Sequence, residues 1–233
     1  EIGNRVMSPE KMDLSHIRCV VFDYGFSLSS GLYFNVSPPG MTDWEERVQR
    51  AVFRGNDDTI TDPWMRGEIG LVEIAGLLAR EIGLDAEEVL WYLRQGCTDL
   101  GFNEAVYEFA RRVHCSPLKS ALVTANMDVF SDVVVPSHGL DDLFDVIVNS
   151  ADVGTCDKTV LWPLAFNSLG CGISYRDSLL IEDGEKNPAA FRKLGGMAHQ
   201  YLGEGEFCGW LDGVDFGENG SVAPSSASSQ KRV

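Results

Sequence analysis

Asp23 closes the apolar run Cys19-Val20-Val21-Phe22. A carboxylate at the mouth of a buried strand needs a task or a partner to offset its removal from water. Three later features offer one: Thr124 after Ala121-Leu122-Val123, the isolated Lys158, and Glu182-Asp183 straight after Leu179-Leu180-Ile181. Two adjacent carboxylates at the end of an apolar run call for a cation. An aspartate can attack an electrophilic phosphorus to give an acyl-phosphate that water later cleaves, which divides one hard displacement into two. Magnesium bridging that carboxylate and a phosphoryl oxygen would remove the repulsion between two anions and orient in-line attack. Lys158 would neutralise developing charge and hold Asp23 ionised. Taken singly, Asp23 is also a turn former, Thr124 a helix cap, Lys158 a solvated surface charge and Glu182-Asp183-Gly184 an acidic turn.

The elements that must position these groups follow from hydrophobic patterning. Cys19 to Phe22, Ser120 to Thr124, Val146 to Asn149, Ser178 to Ile181 and Met197 to Leu202 are short apolar runs. Stretches of helical periodicity lie between most of them, which is the pattern of parallel strands joined by crossover helices. Helices are expected over Asn103 to Val113, from near Leu161 with Pro163 in the first turn to the Gly170 stop, and over Pro188 to Leu194. The expected fold is α/β, a doubly wound parallel sheet. Open parallel sheets bind ligands beyond the carboxyl ends of their strands, where Asp23, Thr124 and Glu182-Asp183 all fall, so convergence is expected from topology alone.

Nearly a hundred residues separate the first strand from the second, far more than one crossover needs. Their content reads as helical: Thr42 to Phe53, Leu71 to Ile82, and Ala86 to Leu93 behind an Asp85 cap with Glu88 three residues on. The expected organisation is a core over 14–29 and 102–212, a small helical insertion over 30–101, and a flexible Gly/Ser/Ala-rich tail over 213–233.

In this order, Asp23, Thr124, Lys158 and Glu182-Asp183 resemble the four signature motifs of the haloacid dehalogenase (HAD) superfamily, mostly magnesium-dependent phosphatases with an aspartate nucleophile. The helical insertion and the stretch Trp64-Met65-Arg66-Gly67-Glu68-Ile69 resemble the cap of its subfamily I. The resemblance implies a Rossmann-like core of five strands with Cys19 to Phe22 central. It makes Asp23, Thr124 and Lys158 catalytic, Thr124 with Asn126 and Lys158 substrate-binding, and Asp23, the Gly25 carbonyl, Glu182 and Asp183 the magnesium site. The implied substrate is a small phosphorylated molecule. The chain departs from the pattern at Gly25, where most phosphatases of the family carry a second aspartate as general acid and base, a group typically worth about 10²- to 10⁴-fold in rate. One branch of subfamily I is similar in carrying Gly there.

Two other readings stand beside the phosphatase. A 2-haloacid dehalogenase would direct the same aspartate at carbon, but it does not need the metal that Glu182-Asp183 suggests. A catalytically silent protein binding a phosphorylated ligand or a protein partner draws on Gly25 and on the bulk of Phe26. His16, His114, His138 and His199 lack ligand spacing and read as surface or packing residues. The tryptophans read as core, with Trp64 and Arg66 placed to face the cleft, and Asp212-Gly213-Val214-Asp215 reads as a turn.

Composition narrows the partners. A net charge of −16, from 19 basic against 35 acidic residues in 233, argues against a nucleic-acid surface and against long-range steering of an anion. A phosphate ligand must then be met locally, by a metal and a few placed donors. Six scattered cysteines without C-x-x-C spacing suit reduced thiols. Glu1 to His16 lack a basic start with an apolar core, and no apolar run approaches membrane length, so the expectation is a cytoplasmic monomer or homodimer without membrane contact.

Overall fold

The computed structural model describes residues 11–31, 33–53 and 60–220. Its strands are β1 (Met12–Asp13), β2 (Cys19–Phe22), β3 (Lys119–Thr124), β4 (Val146–Asn149), β5 (Ser178–Glu182), β6 (Met197–Gln200) and β7 (Val214–Asp215). Five form one all-parallel sheet in the order β4-β3-β2-β5-β6. The strand at its centre, β2, is the one that ends in Phe22-Asp23. The chain winds outward through β3 and β4, then crosses to the other side of β2 for β5 and β6, which sets the switch point at β2.

Alternation along the strands builds two cores. Val20 and Phe22 of β2, Leu122 of β3 and Ile181 of β5 face Phe109 of helix Glu104–His114 and Phe207 of helix Glu204–Asp212. Cys19, Val21, Val123 and Leu180 face the opposite side, against Trp162 of helix Lys158–Leu169 and Phe191 of helix Lys186–Lys193. All four residues of β2 are fully buried, so its N–H and C=O groups are satisfied by two flanking strands and its end is fixed in depth.

Some expected boundaries shift. Helix Lys158–Leu169 begins three residues before Leu161, because the Asp157 carboxylate accepts the Thr159 N–H at 2.9 Å and so caps it. Pro163 therefore lies inside the helix, not in its first turn. The expected tail and the turn at Asp212 to Asp215 give way to structure: β7 pairs in parallel with β1, and Val214 and Phe216 are buried, Phe216 against Phe109. Apolar Val214 and Phe216 decide this, despite glycine-rich neighbours; residues 221–233 lie outside the described part.

Between β2 and β3 the chain leaves the core at Ser29 and returns at Phe102, and these two residues form an antiparallel bridge. The intervening segment is helical: Trp44–Val48 with a wider turn over Gln49–Phe53, Thr61–Met65, Leu71–Ile82 and Ala86–Gln95. Asp85 caps the last of these by accepting from Glu87 and Glu88. Trp64 is fully buried between Phe34 and Phe53 and faces no cleft, while Arg66 pairs at the surface with Glu68 and Asp62. Trp91, also expected in the core, is 54 % exposed.

The Trp64 to Ile69 stretch docks this insertion on the core. Trp64 Nε1 donates to Asp128 Oδ1 at 2.6 Å, and the other oxygen of Asp128 accepts the Leu71 N–H at 2.9 Å, at the N-terminus of a helix whose dipole favours an anion. Gly67, at φ 67°, approaches the core so closely that a Cβ would lie 2.3 Å from the Ala151 carbonyl oxygen. Asp128→Ala leaves an indole N–H and a helix-end N–H unpaired together, and is expected to cost about 1–3 kcal/mol in denaturant unfolding. A change within a few tenths of a kcal/mol would show that Asp128 does not hold the cap.

Candidate active site

Register brings the charged groups together. Phe22 is level with Ile181, so Asp23 and Glu182 project from neighbouring strand ends, and the Asp23 N–H continues the ladder to the Ile181 carbonyl at 2.9 Å. Lys158 is the first residue of its helix and lies buried, with Nζ in contact with Asp23 Oδ1 and 2.9 Å from Glu182 Oε2. A solvated surface charge is therefore excluded for Lys158. A cation at a helix N-terminus opposes the dipole, at a cost of about 0.3–1 kcal/mol, which the two carboxylates outweigh.

Asp23, Glu182 and Asp183 bring ligand oxygens within 4.8 Å of one another. Burial raises the Asp23 pKa to about 7, with Glu182 and Asp183 adding to the rise and Lys158 opposing it. Burial also works against the charged form of Lys158, yet Asp23 and Glu182 hold its ammonium above the ordinary lysine pKa. One ammonium faces three carboxylates, so the cluster carries an uncompensated negative charge. Its donors are all hard oxygens, and this set fits a magnesium-type cation held by Asp23, Glu182 and Asp183.

Two residues without an assigned role in the sequence fix this geometry. The Ser27 hydroxyl accepts the Asp183 N–H at 2.8 Å and donates to Asp183 Oδ1 at 3.2 Å. Asn103 Nδ2 donates to the carbonyls of Phe26 and Ser27 at 3.0 and 2.7 Å, which holds the turn Tyr24–Leu28 after Asp23. Within that turn Phe26 has φ 55°, a left-handed conformation rare for an aromatic residue. A Ser four residues beyond Asp23 and an Asn at the start of a helix are too common for sequence to single out.

Thr124 is buried at the end of β3, beside β2. Gly25 lies in the turn with φ −63°, and a Cβ there would meet nothing within 4 Å. Asn126 is committed in several directions: its N–H donates to Ser150 Oγ at 2.8 Å, its Nδ2 to Tyr33 Oη at 2.8 Å, and its Oδ1 accepts the Met127 N–H at 3.0 Å. What it brings to the site is a wall, shared between core and cap. That wall bounds a cavity of about 310 Å³ whose floor follows directly on Asp23 and Thr124, through Tyr24, Gly25, Ala125 and Asn126.

Lys158→Met would strand Asp23 and Glu182 in the core without their counter-ion. The expected loss in metal-free buffer is about 3–5 kcal/mol by urea unfolding. A variant as stable as the parent would mean the contact carries no structural weight.

No protein-family model matches the sequence, and no similar protein was found among the curated ones. Solved structures do resemble it. A HAD family enzyme of Bacteroides thetaiotaomicron in complex with magnesium and inorganic phosphate superposes with TM-score 0.58 at 14% identity, over 80% of this chain and 95% of that one. A predicted HAD-like family hydrolase of Porphyromonas gingivalis gives TM-score 0.55 at 18% identity, over 79% and 91%. An L-2-haloacid dehalogenase of Xanthobacter autotrophicus, with chloropropionic acid covalently bound, gives 0.51 at 16% identity, over 79% and 77%. The fold of this chain is thus the fold of HAD-family enzymes, a Rossmann-like core with a five-stranded parallel sheet.

Proposed function

We propose that the chain is a capped, subfamily I HAD-like hydrolase that cleaves a small phosphomonoester through an aspartyl-phosphate on Asp23, with magnesium as cofactor. The observation that carries this reading is the buried cluster in which Lys158 lies between Asp23 and Glu182, with Asp183 beside them. Such a cluster has a nucleophile, a fixed cation and an excess of negative charge at one strand-end crevice. Supporting it is the likeness in fold to an enzyme solved with magnesium and phosphate.

An Asp23 carboxylate oxygen attacks phosphorus in line, and the P–O bond to the leaving group breaks with its electron pair on that oxygen. Water then attacks the phosphorus of the acyl-phosphate, regenerating the carboxylate and releasing phosphate. Lys158 keeps Asp23 oriented and balances charge on the transferring oxygens. Thr124 donates its hydroxyl to a phosphoryl oxygen, and Asn126, two residues on, assists in binding it. Ser27 keeps Asp183 in the metal-facing position. Asp23, Glu182 and Asp183, with the Gly25 carbonyl, would hold magnesium, which when bound would supply Lewis-acid neutralisation of the phosphoryl charge. The dehalogenase alternative has no use for the three-carboxylate cluster and is disfavoured by it.

Hydrolysis of p-nitrophenyl phosphate with and without magnesium, beside Asp23→Asn, tests this reading. Expected are metal-dependent release lowered at least about 10³-fold in the variant, and a thermal midpoint that rises with magnesium in the parent. No release above the variant, from protein shown to be folded, sinks the phosphatase and favours a silent binding protein.

A further inference from the structure

Two aromatic residues hold a left-handed backbone, Phe26 at φ 55° and Phe34 at φ 67°. For a residue with a Cβ that conformation is costly, and it persists only where the surroundings offset or enforce it. Phe34 shows the ordinary offset. It is 1 % exposed, its ring stacks on those of Phe53 and Trp64 at 6.3 and 5.9 Å, and its carbonyl accepts the Trp44 indole N–H at 3.0 Å. Phe26 has the same kind of strain without that burial, since it is 60 % exposed. Its conformation is enforced instead. Asn103 Nδ2 donates to the Phe26 and Ser27 carbonyls at 3.0 and 2.7 Å, and the Asn103 N–H donates to the Leu28 carbonyl at 2.9 Å. Glycine would take this position without strain. The chain therefore presents a large aromatic ring to solvent, against a backbone cost, at a place where folding gains little from it.

The location of the ring supplies the reason. Phe26 is three residues beyond Asp23, and its neighbour Ser27 is the residue whose hydroxyl accepts the Asp183 N–H at 2.8 Å. Phe26 thus stands at the edge of the ionic cluster, and it lines the cavity of about 310 Å³ between core and cap, together with Tyr33, Phe53 and Met65 of the inserted segment. Tyr24 to Phe26 and Ala125 to Met127 line that cavity directly after the ends of β2 and β3. A phosphoryl group bound at Asp23 and Thr124 therefore extends its ester group past Phe26.

We infer that Phe26 is a specificity-determining residue, whose ring is the platform on which the carbon framework of the ester group lies. The inference rests on the phosphatase reading and narrows it to phosphomonoesters that offer an apolar face close to the bridging oxygen. Ser29, Gln49 and Thr61 also line the cavity, so the ester group is free to carry polar groups beyond that face. A left-handed aromatic residue beside the reacting centre then has a use that a glycine could not fill, and the strain at Phe26 is the counterpart of a substrate contact.

The experiment measures three quantities in magnesium for the parent and for Phe26→Ala, Phe26→Gly and Phe26→Tyr: kcat/KM for p-nitrophenyl phosphate, the inhibition constant of inorganic phosphate, and the thermal midpoint. Expected is a fall in kcat/KM of at least about threefold in Phe26→Ala and Phe26→Gly, the size of one aromatic contact, with the parent value kept in Phe26→Tyr. Inorganic phosphate has no ester group, so its inhibition constant stays as in the parent. Phe26→Gly relieves the left-handed strain, and its thermal midpoint is expected within about 3 °C of the parent or above it. A smaller change in kcat/KM, or an equal weakening of inorganic phosphate, overturns the platform and leaves the phosphatase standing. So does a larger fall in the midpoint of Phe26→Gly, which would make the ring a packing group. Failure of the parent to release phosphate removes the phosphatase reading and this inference with it.

Discussion

Lys158 Nζ, wedged between the carboxylates of Asp23 and Glu182, is the contact on which the other placements depend. A cation buried between two carboxylates is stable only where both partners are held at hydrogen-bonding distance. Each carboxylate is therefore placed by a rigid element. β2 is hydrogen-bonded on both edges, β5 runs beside it in register, and the Asp157 cap sets the helix start so that Lys158 falls on its first position. The turn after Asp23 then inherits a tight requirement, met by Asn103 from one side and Ser27 from the other.

The site combines two environments that seldom share a wall. On one side the ionic cluster demands a counter-ion and rigid donors; on the other, the described lining is mostly aromatic and thioether surface with a few neutral polar groups. The partition between them is the chain itself, Tyr24-Gly25-Phe26 and Ala125-Asn126-Met127, immediately after two strand ends.

Much of this was legible in the order of residues. The five strand runs are found within two residues of their observed ends, because all are apolar segments bounded by polar or turn-forming positions. Asp23, Lys158, Glu182 and Asp183 stand out because charge adjacent to apolar runs is costly, and they do converge. Other features were not legible because they depend on contacts far apart in sequence. Trp64 looked like a cleft residue but is claimed by Asp128, 64 positions away. Val214 and Phe216 sit in a glycine-rich context, and only the pairing of Met12 and Asp13 with Val214 and Asp215 shows that they pack. The cavity is lined, among the described residues, by four stretches at 24–33, 49–53, 61–65 and 125–127 that only the fold brings together.

The bridge between Ser29 and Phe102 has a further bearing on how such a chain can change. Because exit and re-entry points are already neighbours on the core, the ends of the inserted segment are held together whatever its length, and the entropy of closing that loop does not fall on the cap. Lengthening, shortening or replacing the insert leaves the register of the sheet and the ionic cluster untouched, provided that the Gly67 and Asp128 contacts are kept or exchanged as a set. The architecture is thus a socket: the ionic cluster is soldered into the sheet, and the segment that covers it can be exchanged as a cartridge.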